Sequence, residues 1–208
     1  PLGRCVGNAV EIKEVIEFLL ADEATLLSDE FKDLKDVVFE LAAYMIKMSG
    51  VNDDIEQNKK DIFRAITSGR AYDKFIELIE AQGGKTCNVF MDFIGREVKM
   101  PILKDEAMYL KDIYAQSTGY VTNLDSLKIG NALVCLGGGR YTKDDDIDYA
   151  VGFKFMKKKG DFVKEGDTIL KVLYNDKNKF LDAFEYIEDA IVVENILPED
   201  AEKIKGIP

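Results

Sequence analysis

Apolar residues recur at helical spacing through the first eighty or so positions and predict four helices. Ile12, Val15, Ile16 and Leu19 form one stripe, and Asn8 with Glu11 three residues on is placed to cap its start. A second helix is expected from about Asp29 to Met48, with Phe31, Leu34, Val38, Leu41, Ala42 and Met45 on its apolar side and Ser49-Gly50 at its stop. A third begins near Asp53, where Glu56 completes a capping box and Ile55, Ile62, Phe63 and Ile66 share a face. Ser68 is placed to cap a fourth, in which Tyr72, Phe75, Ile76 and Ile79 repeat before Gly83-Gly84 ends it.

From about Lys85 the pattern changes. Residues 85–105 mix aromatics, Gly95 and Pro101 with no sustained period and read as a linker or irregular crossover. Ala107 to Tyr114 and Gly119 to Asn123 read as strands. Leu124 to Leu136 reads as a helix with Leu127, Ala132, Leu133 and Leu136 toward a core. Val151 to Met156 and Thr168 to Tyr174 are strands rich in β-branched and aromatic residues. A helix near Lys177 to Tyr186, a strand near Ile191 to Ile196 and a charged tail, Pro198 to Pro208, complete the chain. The expected organisation is a helical half, residues 1–100, followed by a β-rich α+β half, residues 101–208. No internal repeat shows in the sequence.

Composition narrows the chemistry. The chain has 208 residues, a net charge of −11 and no histidine. The acidic balance argues against nucleic-acid binding, which depends on clustered Lys and Arg, and no apolar run approaches the ~20 residues of a membrane span. Without an imidazole, the chain cannot supply a Ser-His-Asp triad, a Cys-His pair or a His-based zinc site. Cys5, Cys87 and Cys135 are sparse and odd in number, as expected of reduced thiols in a cytoplasmic protein. A first residue that is proline rather than methionine suggests a true start further upstream, and no secretory signal opens the sequence.

Four motifs invite chemical readings. Gly137-Gly138-Gly139-Arg140 could form a nest of backbone amides for an anion, although a tight helix exit, with Arg140 paired to the acidic run Asp144-Asp145-Asp146 or solvated, explains it more simply. That acidic run lacks the spacing of a calcium loop and reads as a solvated turn. Lys157-Lys158-Lys159-Gly160-Asp161 reads as an exposed hairpin tip. Val163-Lys164-Glu165-Gly166-Asp167-Thr168-Ile169-Leu170 resembles a turn of biotinyl and lipoyl carrier domains, but Lys171-Val172-Leu173-Tyr174 after it lacks the carrier's modifiable lysine motif, which leaves a swinging-arm role remote.

Three segments in order carry a broader resemblance. Ser68-Gly69-Arg70-Ala71-Tyr72-Asp73-Lys74-Phe75-Ile76-Glu77-Leu78-Ile79 leads into Glu80-Ala81-Gln82-Gly83-Gly84. Pro1-Leu2-Gly3-Arg4-Cys5-Val6-Gly7-Asn8-Ala9-Val10-Glu11 precedes it. Leu136-Gly137-Gly138-Gly139-Arg140 with Asp148-Tyr149-Ala150-Val151-Gly152 follows. Together they resemble the pyrimidine-nucleoside phosphorylase (thymidine phosphorylase) family, in its C-terminal portion.

The resemblance implies an α/β plus α+β fold class: the helical remainder of the family's α/β domain, then a β-rich, hammerhead or barrel-sandwich-like C-terminal domain. It implies the conversion of a pyrimidine nucleoside and phosphate to free base and pentose 1-phosphate in nucleotide salvage, in homodimeric full-length proteins. The family's Lys-His-Ser segment, glycine-rich phosphate loop and base-binding contacts have no counterpart here. No catalytic residue is therefore assigned, and the chain alone is expected to be inactive, supporting one side of the cleft and its closure. The family's potassium site carries over in part, onto the main-chain oxygens of Leu2 and Cys5 and the carboxylate of Glu14, oxygen ligands suited to a hard cation. By sequence alone the reading of Glu14 as an ordinary solvated glutamate wins. The competing classes are a structural or interaction module that kept the fold without catalysis and, more weakly, a phosphoribosyltransferase. Preference between thymidine and uridine is not legible.

Overall fold

The computed structural model describes residues 1–91, 97–103, 106–196 and 200. In chain order the elements are β1 (Cys5–Val6), α1 (Asn8–Leu19), α2 (Glu23–Leu26), α3 (Lys32–Met48), α4 (Ile55–Thr67), α5 (Arg70–Ala81), β2 (Thr86–Met91), β3 (Glu97–Pro101), β4 (Tyr109–Tyr114), β5 (Gly119–Leu124), α6 (Ser126–Leu136), β6 (Gly152–Phe155), β7 (Phe162–Val163), β8 (Thr168–Tyr174), α7 (Lys177–Ala190) and β9 (Ile191–Glu194). They form a mixed α and β structure in two compact units. One joins Gly3–Ile12 to the chain from Asp105 onward; the other runs from Lys13 to Lys104. The expected tail, Pro198 to Pro208, lies outside the described residues apart from Asp200.

The Lys13–Lys104 unit is built on short helices. Where four helices were expected in the first eighty residues, five are present. The extra one, α2, is a single turn started by Asp22, whose side chain accepts from the Thr25 amide at 2.7 Å. Phe18, Ala21, Leu26, Phe31 and Ile66 form the core, with Phe18 and Phe31 edge to face at 5.5 Å. At α4 the capping residue is Asp54, which accepts from the Gln57 amide; Glu56 instead bonds Lys59. Ser68 closes α4 rather than opening α5, which starts from Gly69. Asn58, almost fully buried, ties α4 to α3 by donating to the carbonyls of Ala43 and Asn52. The expected linker is a β-hairpin: β2 pairs antiparallel with β3, Thr86 opposite Pro101. Tyr72 of α5 is buried and donates to the Lys99 carbonyl at 2.6 Å; burial raises its pKa to about 12.

The other unit contains two antiparallel sheets, in strand orders β1-β6-β8-β4 and β7-β5-β9. Phe153, Phe155, Leu170 and Val172 of the first sheet and Val121 and Val163 of the second join Ile129, Ala132 and Leu136 of α6 and Ala183 and Ile187 of α7 in one core. Leu127, expected in that core, is 74% exposed. It sits at the start of α6, where Asp125 caps the helix, and Ile129 takes the inward position. Strand β7 was not foreseen because two residues are too few to show a period.

Although no repeat is visible in the sequence, this unit contains one of two turns. In Lys158-Lys159-Gly160-Asp161 the Asp161 carboxylate accepts from the Lys158 amide at 2.8 Å, and in Lys164-Glu165-Gly166-Asp167 the Asp167 carboxylate accepts from the Lys164 amide at 2.9 Å. Both glycines hold positive φ, 88° and 87°, a conformation that glycine adopts without a Cβ penalty. Gly160 donates to Val121 O while Val121 donates to Asp161 O; Gly166 donates to Ala115 O while Ala115 donates to Asp167 O. The same clamp is thus built twice, with both partners displaced by one six-residue step in opposite directions along the chain.

Candidate functional site

The first and third of the resemblance segments meet within one unit. β1 pairs with β6, Cys5 opposite Lys154 and Val6 opposite Phe153. The next residue, Gly7, has φ of 130°, and a Cβ there would stand 2.6 Å from the Val151 carbonyl oxygen and 2.8 Å from Gly152 Cα. Only glycine permits that approach. Asn8 then donates its side-chain amide to the Gly138 carbonyl at 3.3 Å, and the Ala9 amide donates to the Tyr149 carbonyl at 3.0 Å. Glu11 folds back to accept from the Gly7 amide at 3.0 Å. The expected capping pair is therefore displaced by one residue, which frees Asn8 for its long-range bond. Asp148 organises the far side: its carboxylate accepts from the Ala150 amide and the Asn175 side chain, and its own amide donates to the Gly137 carbonyl.

Of the residues expected to hold potassium, Cys5 belongs to the unit that contains this seam, whereas Leu2 and Glu14 group with the Lys13–Lys104 unit. Pro1 and Gly3, the neighbours of Leu2, both offer their carbonyl oxygens to the ammonium of Lys158, at 2.5 Å for Pro1. Cys5 is buried in the edge strand β1. Because Arg4 O accepts from the Phe155 amide, antiparallel alternation turns the main-chain groups of Cys5 away from β6. Glu14 is 8% exposed, so it is not the solvated glutamate that the sequence alone would favour; a carboxylate so buried requires matched partners. Carbonyl and carboxylate oxygens are the donor type a hard cation takes, but the carbonyls that Lys158 engages are those of Pro1 and Gly3 and not those of Leu2 or Cys5. Among the described residues no group of three or more His, Cys, Asp or Glu side chains is placed for a metal ion, a search that leaves carbonyl ligands untouched.

Lys158 is the residue that sequence reasoning missed. The lysine run was expected at an exposed tip, but only Lys159 is exposed; Lys157 and Lys158 are half-buried. Lys157 donates to the nearby Phe162 carbonyl, whereas Lys158 reaches carbonyls more than 150 positions away, which no local pattern discloses.

The remaining motifs are structural. The Gly137 and Gly138 amides donate to the carbonyls of Val134 and Leu133, closing α6, so they are committed to the helix exit rather than to an anion. Asp145 accepts from the Tyr141 and Thr142 amides and the Thr142 hydroxyl. These bonds, the backbone one from Thr142 foremost, hold its carboxyl below the usual carboxylate range, and Arg140 adds only a minor electrostatic contribution. Lys171 pairs with Asp112 in mid-strand at 2.8 Å, unlike a carrier's presented lysine. The Tyr141 hydroxyl lies 2.9 Å from Cys135 Sγ, which raises its pKa to about 12. A cavity of about 220 Å³ between β4, β9 and α7 is lined by Ile113, Gln116, Phe184, Ile187 and Glu188 among others; of the motif residues only Ile169 reaches it.

In the Lys13–Lys104 unit the segment ending in Glu-Ala-Gln-Gly-Gly anchors the β2–β3 hairpin. Glu80 Oε1 accepts from both Thr86 Oγ1 and Lys99 Nζ at 2.7 Å.

Comparison with known proteins agrees with these segments. Residues 120–194 match the family model described as "Pyrimidine nucleoside phosphorylase C-terminal domain". The chain is 37% identical over 197 residues to the pyrimidine-nucleoside phosphorylases of Staphylococcus aureus strains USA300, N315 and bovine RF122, a match that covers 92% of this chain. It covers 42% of each relative, so the chain spans less than half the length of the relatives it matches. By sequence, the chain corresponds to the C-terminal portion of the pyrimidine-nucleoside phosphorylase family.

Proposed function

We propose that this chain is the scaffolding C-terminal portion of a cytoplasmic pyrimidine-nucleoside phosphorylase of nucleotide salvage, and that alone it performs no phosphorolysis. The parent reaction joins phosphate to C1′ of a pyrimidine nucleoside as the base departs, and it demands groups that position phosphate and stabilise charge on sugar and base. A chain without histidine and without a phosphate-binding glycine loop supplies neither the expected Lys-His-Ser segment nor a phosphate cradle. The observation that carries the reading is the seam: Asn8 and Gly138, 130 positions apart, are joined directly, so the family segments serve to fix the N-terminal end of α1 to the β-rich unit. Such a fixed joint suits a hinge over which the parent enzyme closes.

Within this reading, potassium is held by the carbonyl oxygens of Leu2 and Cys5 and the carboxylate of Glu14, with further ligands from the rest of the parent protein. When bound, it supplies a fixed positive charge that ties these oxygens together. The β-rich unit takes the hammerhead or barrel-sandwich form, supported by its two antiparallel sheets and doubled clamp. The full-length protein is a homodimer that binds pyrimidine nucleoside and phosphate, and neither nucleic acid nor membrane. A chain incubated with uridine or thymidine and phosphate should release no base above blank, by absorbance or chromatography. Turnover that co-purifies with the chain sinks the proposal.

A further inference from the structure

The cavity of about 220 Å³ in the β-rich unit lies where its two sheets part. β4 is an edge of one sheet and β9 an edge of the other. The ladder between β4 and β8 slips at this point. Ile113 pairs with Leu170 and Tyr114 with Thr168, which leaves Ile169 as the extra residue of a bulge. Bulges re-aim side chains at barrel rims and beside functional sites, and Ile169 lines the cavity. With Ala115 and Ile187 it makes a floor of buried apolar side chains, and Tyr114 and Phe184 add two rings to the walls.

The walls are fixed by the fold itself. Ala115 is held through both of its main-chain groups by the clamp with Gly166 and Asp167. The Gln116 side chain donates to the Tyr114 carbonyl at 3.1 Å. Immediately after Ser117, the Thr118 hydroxyl accepts from the Glu165 amide at 3.0 Å. An apolar body with a few polar groups at its mouth is the general form of a small-molecule site. Here the mouth carries the exposed side chains of Gln116, Ser117 and Glu188. Glu188 is the one charged group in the lining among the described residues, and no Lys or Arg opposes it there.

We infer that this cavity binds an arylalkylammonium, a flat apolar ring on a short chain that ends in a primary amine. Volume sets the body of the ligand: an apolar cavity of about 150 Å³ takes benzene, so this one has room for a ring and its side arm. Tyr114 and Phe184 offer that ring faces and edges to pack on. Charge sets the head: the unopposed Glu188 carboxylate favours an ammonium over a neutral or anionic group, and the net charge of −11 adds to the attraction. The inference stands apart from phosphorolysis and does not depend on it.

Tryptamine is the probe. The chain contains no tryptophan, so with excitation beyond the tyrosine band the indole emission comes from the ligand alone and moves to the blue as the ring leaves water. The shift should saturate with a Kd of about 1 mM or tighter, and the same titration should move the methyl signals of Ile113, Ile169 and Ile187. Val193 pairs with the buried Val121 and shares its core face. Val193→Phe should therefore fill the cavity and weaken binding about tenfold or more. Glu188→Gln, an exposed helix substitution that needs no repacking, should leave the melting temperature within about 2 °C. It should weaken tryptamine about fivefold and leave neutral indole unchanged. Indoleacetate should bind the native chain at least about tenfold more weakly than tryptamine does. A shift that never saturates, or isoleucine methyls that stay still, overturns the inference. So does equal tryptamine affinity in the native chain and either variant, or indoleacetate bound as tightly as tryptamine.

Discussion

Gly7 shows how one residue can set the approach of two distant chain segments within a single unit. Its φ of 130° and the 2.6 Å from a hypothetical Cβ to Val151 O leave no place for a side chain against rigid backbone. Gly7→Ala should therefore destabilise the β-rich unit by about 2 kcal/mol or more, measured by denaturant unfolding. A change under about 0.5 kcal/mol, the range of an ordinary surface substitution, would show that β1 and β6 part easily. The sequence displayed this glycine within a recognisable segment, but not the reason for it. Val151 lies far away in the chain, and only the folded backbone brings it to Gly7. Glu14 teaches the same lesson in reverse: nothing in its local pattern distinguishes a buried carboxylate from a solvated one.

Among the elements, the β2–β3 hairpin depends on a charge as well as on burial. Hydrogen bonds from Lys99 first and Thr86 second hold the Glu80 carboxyl below its ordinary value of 4.5. A carboxylate with a depressed folded pKa contributes stability that is present above the unfolded value and is lost as pH falls through the folded one. Amide exchange in Thr86 and Cys87 should accordingly accelerate, relative to intrinsic rates, as pH drops below about 4.5, and Glu80→Gln should remove that pH dependence. A pH profile identical in the two proteins would show that the contact contributes nothing. Because Glu80 is solvent-exposed, the effect is local and small beside the buried Tyr72 hydroxyl that holds the same hairpin to α5. The helices were legible because their stripes repeat over several turns. The hairpin was not, because the hydrogen-bonding partners of each strand lie in the other, and Pro101 with Gly95 suggests irregularity to a local reading.

For the whole molecule, a net charge of −11 should repel other polyanions. A fluorescent DNA duplex at ~150 mM salt, where charges are screened beyond about 8 Å, should show no anisotropy change with the chain; saturable micromolar binding would expose a basic face that the balance conceals. Among the described residues no helix is long and apolar enough to cross a membrane. Missing chemistry was also readable at this scale, because an absent residue type needs no structure to establish it.

The sequence by itself determined most of the helices, though not the single turn α2, together with the lack of any imidazole and the family correspondence, because each rests on residue type or short-range spacing. Tertiary structure alone decided the seam that joins Gly7, Asn8 and Ala9 to the strands and helix exit they contact, the turning of Lys158 toward the carbonyls of Pro1 and Gly3, and the doubled clamp. Each of these depends on which distant groups come within a few ångströms of one another, a quantity that side-chain periodicity along a chain does not encode.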